Sequence, residues 1–132
     1  MAKKQGKQTF LTERSPSVRA FAAIGSKKES QGPMARFFDI IEPDSTFGKK
    51  SWEKAESAMV TKVAQKALEK AALSAADIDC VFAGDLLNQC VGSTFGLRDV
   101  GIPLLGIYGA CSIPLYTSGF RHTTLPGVSS YS

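Results

Sequence analysis

A chain of 132 residues, 43% hydrophobic and 21% charged, has the composition of one globular domain or part of one rather than of a disordered polymer. Its formal net charge of +4 gathers at Lys3, Lys4 and Lys7 and around Lys49 and Lys50, and neither place joins a basic stripe to stacked aromatics, so no nucleic-acid partner is expected. Three cysteines without a C-x-x-C pair, a basic start with no apolar stretch behind it, and an apolar window at 100–111 broken by Gly and Pro speak for reduced thiols, no zinc and no spanning helix.

Residues 1–8 are polar and read as a frayed start. Residues 18–24 form a short apolar run closed by Gly25 and Ser26, the pattern of a buried strand ending in a turn. Between Gly32 and Lys50 the pattern is irregular. Phe37, Phe38, Ile40 and Ile41 cluster, and Pro43, Asp44, Ser45 and Gly48 are loop formers, so a loop with one helical turn is expected. The clearest element is a helix over residues 51–73, which Ser51 can cap and which no Pro or Gly interrupts. Trp52, Ala55, Met59, Val63, Ala67 and Ala71 recur at spacings of three and four, which predicts a core-facing stripe.

Residues 74–77 make the next turn, and the run at 78–83 reads as a strand ending at Gly84-Asp85. Residues 86–99 suit a looser helix, weakened by Gly92 and Gly96. A third apolar run, 102–108, closes at Gly109. Strand, helix, strand, helix, strand predicts an α/β fold with a parallel-type sheet and packed helices. Beyond Ser112 the chain holds Pro114, Gly119, Pro126 and Gly127 among Ser and Thr with neither helical nor strand period, so 113–132 is expected to be an irregular tail.

Ligands in parallel α/β sheets bind beyond the carboxyl ends of the strands, where Asp85 and Cys111 both fall. Cys111 follows its strand through a Gly-Ala step, which permits a tight turn. A helix beginning there would favour a thiolate or hold a ligand carboxylate, and a buried, inert thiol is the other reading. Asp85 suits capping of the next segment, whereas Asn88 and Gln89 offer paired donors and acceptors to a small polar ligand. His122, the single histidine, lies in the irregular tail and is a poor base for Cys111.

Gly6-Lys7-Gln8-Thr9, Gly32-Pro33, Phe38-Asp39, Trp52-Glu53-Lys54-Ala55-Glu56 and Asp77-Ile78-Asp79 together resemble the stage V sporulation protein AD family of spore-forming bacteria. Ala83-Gly84-Asp85-Leu86-Leu87-Asn88-Gln89, Ile102-Pro103 and Gly109-Ala110-Cys111-Ser112 extend the resemblance over about residues 5–112, and the stretch 83–89 is its most specific part. The resemblance implies a partial thiolase-like fold, with residues 1–112 as an incomplete first βαβαβ half of a two-half sandwich. It implies that the complete protein binds dipicolinic acid, with or without calcium, for uptake into the developing spore. Cys111 then stands at the thiolase nucleophile position, and Asp85, Asn88, Gln89 and Cys111 are the candidate ligand-binding residues. Neither a catalytic residue, nor a metal ligand, nor a cofactor is expected.

Other stage V sporulation proteins at the spore inner membrane are the partners implied, with a cytoplasmic location peripheral to that membrane and a homodimer for the complete chain. Family members run to more than twice this length, so a frameshift or truncation just past Ser112 is expected, with 113–132 out of frame. The histidine and second cysteine of thiolases come from the second half, so the chain is expected not to be an enzyme. Two alternatives stay open: a fragment of a cysteine-dependent acyl transferase of the thiolase and condensing-enzyme class, and a non-functional fragment.

Overall fold

The computed structural model describes residues 3–7, 9–11, 17–85, 87 and 89–107. In chain order these form β1 (Lys3–Gln5), β2 (Thr9–Leu11), β3 (Ile24–Gly25), α1 (Lys27–Ser30), β4 (Ile40–Ile41), α2 (Trp52–Ala71), β5 (Val81–Ala83), α3 (Val91–Leu97) and β6 (Leu104–Gly106). Short 3-10 turns at Ala35–Phe37, Ala75–Asp77 and Arg98–Val100 link them. The class is mixed α/β, built on short parallel strand pairs with helices packed against them.

The expected frayed start is replaced by a hairpin. β1 and β2 pair antiparallel with Lys3 opposite Leu11, and the turn uses Gly6 at φ +69°, which glycine adopts without the cost a side chain would add. The strand expected over 18–24 shrinks to Ile24 and Gly25, and Val18 and Phe21 stand exposed. Its partner is β4, not the later strands: Ile24 lies beside Ile40 and Gly25 beside Ile41 in parallel register. Gly25 is needed there, because a Cβ would come within 2.9 Å of the Glu29 Cβ and 3.0 Å of the Phe38 ring. The helical turn expected inside the loop before residue 50 is present at Ala35–Phe37.

Helix α2 forms as expected. The Ser51 hydroxyl accepts the Lys54 N–H, capping the first turn, and Ala72 ends the helix in the left-handed region at φ 52°. The predicted core stripe is only partly buried. Ala55 is buried, whereas Trp52, at the first helical position, is 61% exposed, because nothing among the described residues covers the start of that face. Ser74 then donates its N–H and its hydroxyl to Asp77, which fixes the turn into β5.

Strands β5 and β6 pair in parallel, Val81 beside Leu104 and Ala83 beside Gly106, with α3 between them in sequence. Among the described residues, however, β3 with β4 and β5 with β6 remain separate two-stranded sheets instead of one continuous sheet.

The main tertiary contact is α2 on α3. Gly92 and Gly96, expected to weaken the later helix, instead let it press against α2. A Cβ at Gly96 would lie 2.6 Å from the Ser57 carbonyl oxygen, and one at Gly92 would lie 2.5 Å from the Glu56 carboxylate. Thr61 Oγ1 donates to the Gly96 carbonyl oxygen at 2.6 Å, so the close approach gains a cross-helix hydrogen bond. Phe47, Ala55 and Leu97 are the buried hydrophobic residues described, and no helix among the described residues is long and apolar enough to cross a membrane.

Candidate functional site

The predicted site begins where β5 ends. Ala83 closes the strand, Gly84 follows, and Asp85 turns inward to 4% exposure. Burying a carboxylate is costly unless it is hydrogen-bonded, and Asp85 is. Its Oδ1 accepts the Cys90 N–H at 2.9 Å, and its Oδ2 accepts the Ser93 N–H at 2.9 Å and the Ser93 hydroxyl at 3.0 Å. Both oxygens of the buried carboxyl group are thus engaged as acceptors. Asp85 thus caps α3 from a distance: Cys90 is the residue before the helix and Ser93 its third residue, so both N–H groups belong to the unsatisfied first turn.

The loop between is held in an uncommon shape. Gln89 and Cys90 are both left-handed, at φ 48° and 71°, and neither is glycine. Left-handed backbone costs an L-residue on the order of 1–2 kcal/mol, so two in succession persist only where neighbours fix them. The bond from Cys90 N–H to Asp85 is one such restraint. Another is packing against β6: a Cβ on Gly106 would sit 3.4 Å from both Cβ and Sγ of Cys90, ordinary contact distance. Cys90 thus packs at the carboxyl end of β6, and Leu87 and Gln89 are exposed.

Of the four predicted ligand-binding residues, Asp85 and Gln89 are placed in this one loop, and Asn88 and Cys111 lie outside the described residues, as do His122 and the tail at 113–132. Cys90 is a free thiol, half-buried beside Gly106, and Cys80 is a second, just before β5. Among the described residues no three of His, Cys, Asp and Glu group together as metal ligands would. The residue that sequence reasoning missed is Ser93. It is fully buried and is the partner that makes Asp85 an internal anchor. Ser93 falls four residues beyond Gln89, and its pairing with Asp85 depends on closure of the loop between them, for which no motif gives notice.

A separate groove of about 480 Å³ runs between α2 and α3, lined among others by Ser51, Ser57, Ala58, Thr61, Val91 and Phe95. Of the predicted residues that are described, neither Asp85 nor Gln89 lines it. Its walls are mostly small or apolar side chains, and it lies along the face where the two glycines bring the helices together.

Comparison with known proteins meets this geometry from a second direction. The sequence model of the family described as Stage V sporulation protein AD matches residues 6–119, which includes the whole of the Asp85 loop. The Stage V sporulation protein AD of Bacillus subtilis (strain 168) is 35% identical over 136 aligned positions, which take in 96% of this chain and 40% of that protein. The chain thus spans about 40% of the length of this curated relative. With the family match covering most of its length, the chain belongs to the stage V sporulation protein AD family.

Proposed function

We propose that this chain carries part of a binding site for dipicolinate, and that the site serves uptake of that dianion into the developing spore. The observation that carries the proposal is the Asp85 loop. A buried carboxylate holds a left-handed turn that follows β5 and packs at the end of its parallel partner β6, the place where α/β folds receive ligands. Dipicolinate is flat, carries two carboxylates and presents a ring nitrogen. The amides of Asn88 and Gln89 supply N–H donors suited to its carboxylates, and free backbone N–H groups after Cys111 would do the same if a helix begins there. Asp85 contributes by holding the loop, its oxygens accepting from the Cys90 N–H, the Ser93 N–H and the Ser93 hydroxyl. Calcium then has a defined task in the proposal: it neutralises the dianion as a co-ligand.

The proposal is one of binding and not of catalysis. In the thiolase-like arrangement that the family resemblance implies, Cys111 keeps the nucleophile position, and the partner histidine and second cysteine belong to the other half. The same reading makes the complete protein a homodimer, cytoplasmic and peripheral to the spore inner membrane, held there by other stage V sporulation proteins.

The test is calorimetric titration of dipicolinate, with and without calcium, against two proteins. One is the chain itself; the other is the chain joined to the part of the Bacillus subtilis relative that it does not cover. Saturable binding is expected in the joined protein, weakened at least tenfold by Cys111→Ala and by Gln89→Ala. A joined protein that unfolds cooperatively yet gives no saturable heat would remove the dipicolinate reading.

A further inference from the structure

Among the described residues that hold this loop, the most deeply placed polar side chain is one that neither the motifs nor the ligand argument uses. Ser93 has no exposed surface. Its N–H and its hydroxyl both point to Asp85 Oδ2, at 2.9 and 3.0 Å, and its Oγ also lies 3.2 Å from the Cys90 carbonyl oxygen. Asp85 Oδ1 in turn takes the Cys90 N–H. The result is a ring, closed through the backbone from Cys90 to Ser93, that ties residues 85, 90 and 93 together.

Three observations make the ring a positioning device and not simple helix capping. A cap in the usual sense comes from the residue directly before the helix, which here is Cys90 and supplies no side-chain bond. The ring joins residues eight positions apart and encloses the left-handed pair Gln89 and Cys90, so it acts on the loop as much as on the helix. Its inner side is fixed in turn by the approach of α3 to α2, where Gly92 and Gly96, on either side of Ser93, rest on Glu56 and Ser57. The register of α2 therefore reaches the loop through Ser93.

Resting on the dipicolinate reading above, we propose that Ser93 is a positioning residue for that site: with Asp85 it sets the loop geometry that presents Gln89 to the ligand, and touches no ligand itself. A ligand that meets a preorganised loop does not have to order it on binding, so loss of the ring lowers affinity without loss of any direct contact. Because Asp85 and Ser93 act as one unit, their substitutions are not additive.

The experiment uses the joined protein and titrates dipicolinate against wild type, Asp85→Asn, Ser93→Ala and the double variant, each held well below its own melting temperature. Hydrogen exchange at the Gln89 and Cys90 amides is followed in parallel. Each single variant is expected to raise Kd about tenfold and to speed exchange at both amides, with the double variant close to the worse single one. Ser93→Cys, which restores a weaker donor at nearly the same volume, should recover part of the affinity. If wild type binds and the singles bind equally well, or if their losses simply multiply in the double variant, the positioning role is overturned and the dipicolinate reading stands. If wild type itself fails to bind, the dipicolinate reading falls and the role of Ser93 toward that ligand falls with it. Variants that fail to fold are replaced by Ser93→Cys alone, for which an unchanged Kd with faster amide exchange also overturns the proposal.

Discussion

Single residues here are decided by what lies within a few tenths of an ångström of them, and the two glycines of α3 show it. Alanine in a helix interior is favoured over glycine by about 1 kcal/mol, so propensity alone predicts that replacing either glycine stabilises the chain. Packing reverses this at Gly96, where the new methyl would meet the Ser57 backbone carbonyl, which cannot move without shifting α2. Gly96→Ala is expected to destabilise by roughly 1–3 kcal/mol, the usual range for overpacking. At Gly92 the obstacle is the Glu56 side chain, which has rotatable bonds with which to withdraw, so Gly92→Ala should cost clearly less. Urea unfolding of both variants checks the order, and a stabilising Gly96→Ala would mean that the helices do not approach so closely. The sequence shows these glycines but not their purpose, because a lone chain reveals spacing and not the surface it presses on. Asp85 was legible in the same limited sense: its place after a strand announced a cap, and the buried serine that completes it did not show.

At the level of elements, α2 was readable from end to end because twenty residues without Gly or Pro give the helical period room to repeat. Strands of two or three residues have no such room, which is why the run at 18–24 misled and the pairing of β3 with β4 went unread. Asp39 and Glu42 both tie that pair to α2, Glu42 through Lys62 at 3.0 Å, and Asp39 is the more heavily engaged. Asp39 Oδ2 accepts the Ala23 N–H at 2.9 Å, its Oδ1 accepts Lys70 Nζ at 2.6 Å, and Lys70 also lies 4.8 Å from the centre of the Phe21 ring. The Lys70 ammonium, and after it the Ala23 N–H, holds the Asp39 carboxyl below the ordinary aspartate range. A pKa depressed by folding adds stability above the unfolded value, roughly 3.9, and that stability is lost as pH falls through the folded one. Lys70→Met removes the first cause and keeps the helix. The stability difference between wild type and Lys70→Met should therefore be steady near neutral pH and shrink as pH drops below about 4. Denaturant unfolding across that range measures it, and a difference that stays constant into acid would assign the effect to the Phe21 contact instead.

For the molecule as a whole, the class of fold was legible, since β5, α3 and β6 follow one another as the pattern demanded, yet the single sheet did not form among the described residues. The described residues also bury little apolar surface. The described buried hydrophobic residues are Phe47, Ala55 and Leu97, whereas Phe21, Met34, Phe37, Trp52, Leu87 and Phe95 are all more than half exposed. Apolar burial is the main force favouring the folded state, and the denaturant dependence of unfolding scales with the surface that unfolding exposes. A chain with this distribution should unfold with a shallow urea dependence, about 1 kcal/mol/M or less, at the low end for small proteins. It should also bind a hydrophobic dye before any denaturant is added, as exposed apolar patches do. Trp52, the single tryptophan of the sequence and 61% exposed, reports on the same surface from within. Its emission in the dilute chain should be that of a water-exposed indole, freely quenched by acrylamide. Joining the chain to the part of the relative that it does not cover gives the decisive comparison. If that part covers the face where α2 begins, the emission moves to the blue and quenching falls; a steep transition and a shielded Trp52 in the chain alone would show instead that the apolar side chains are already covered without it.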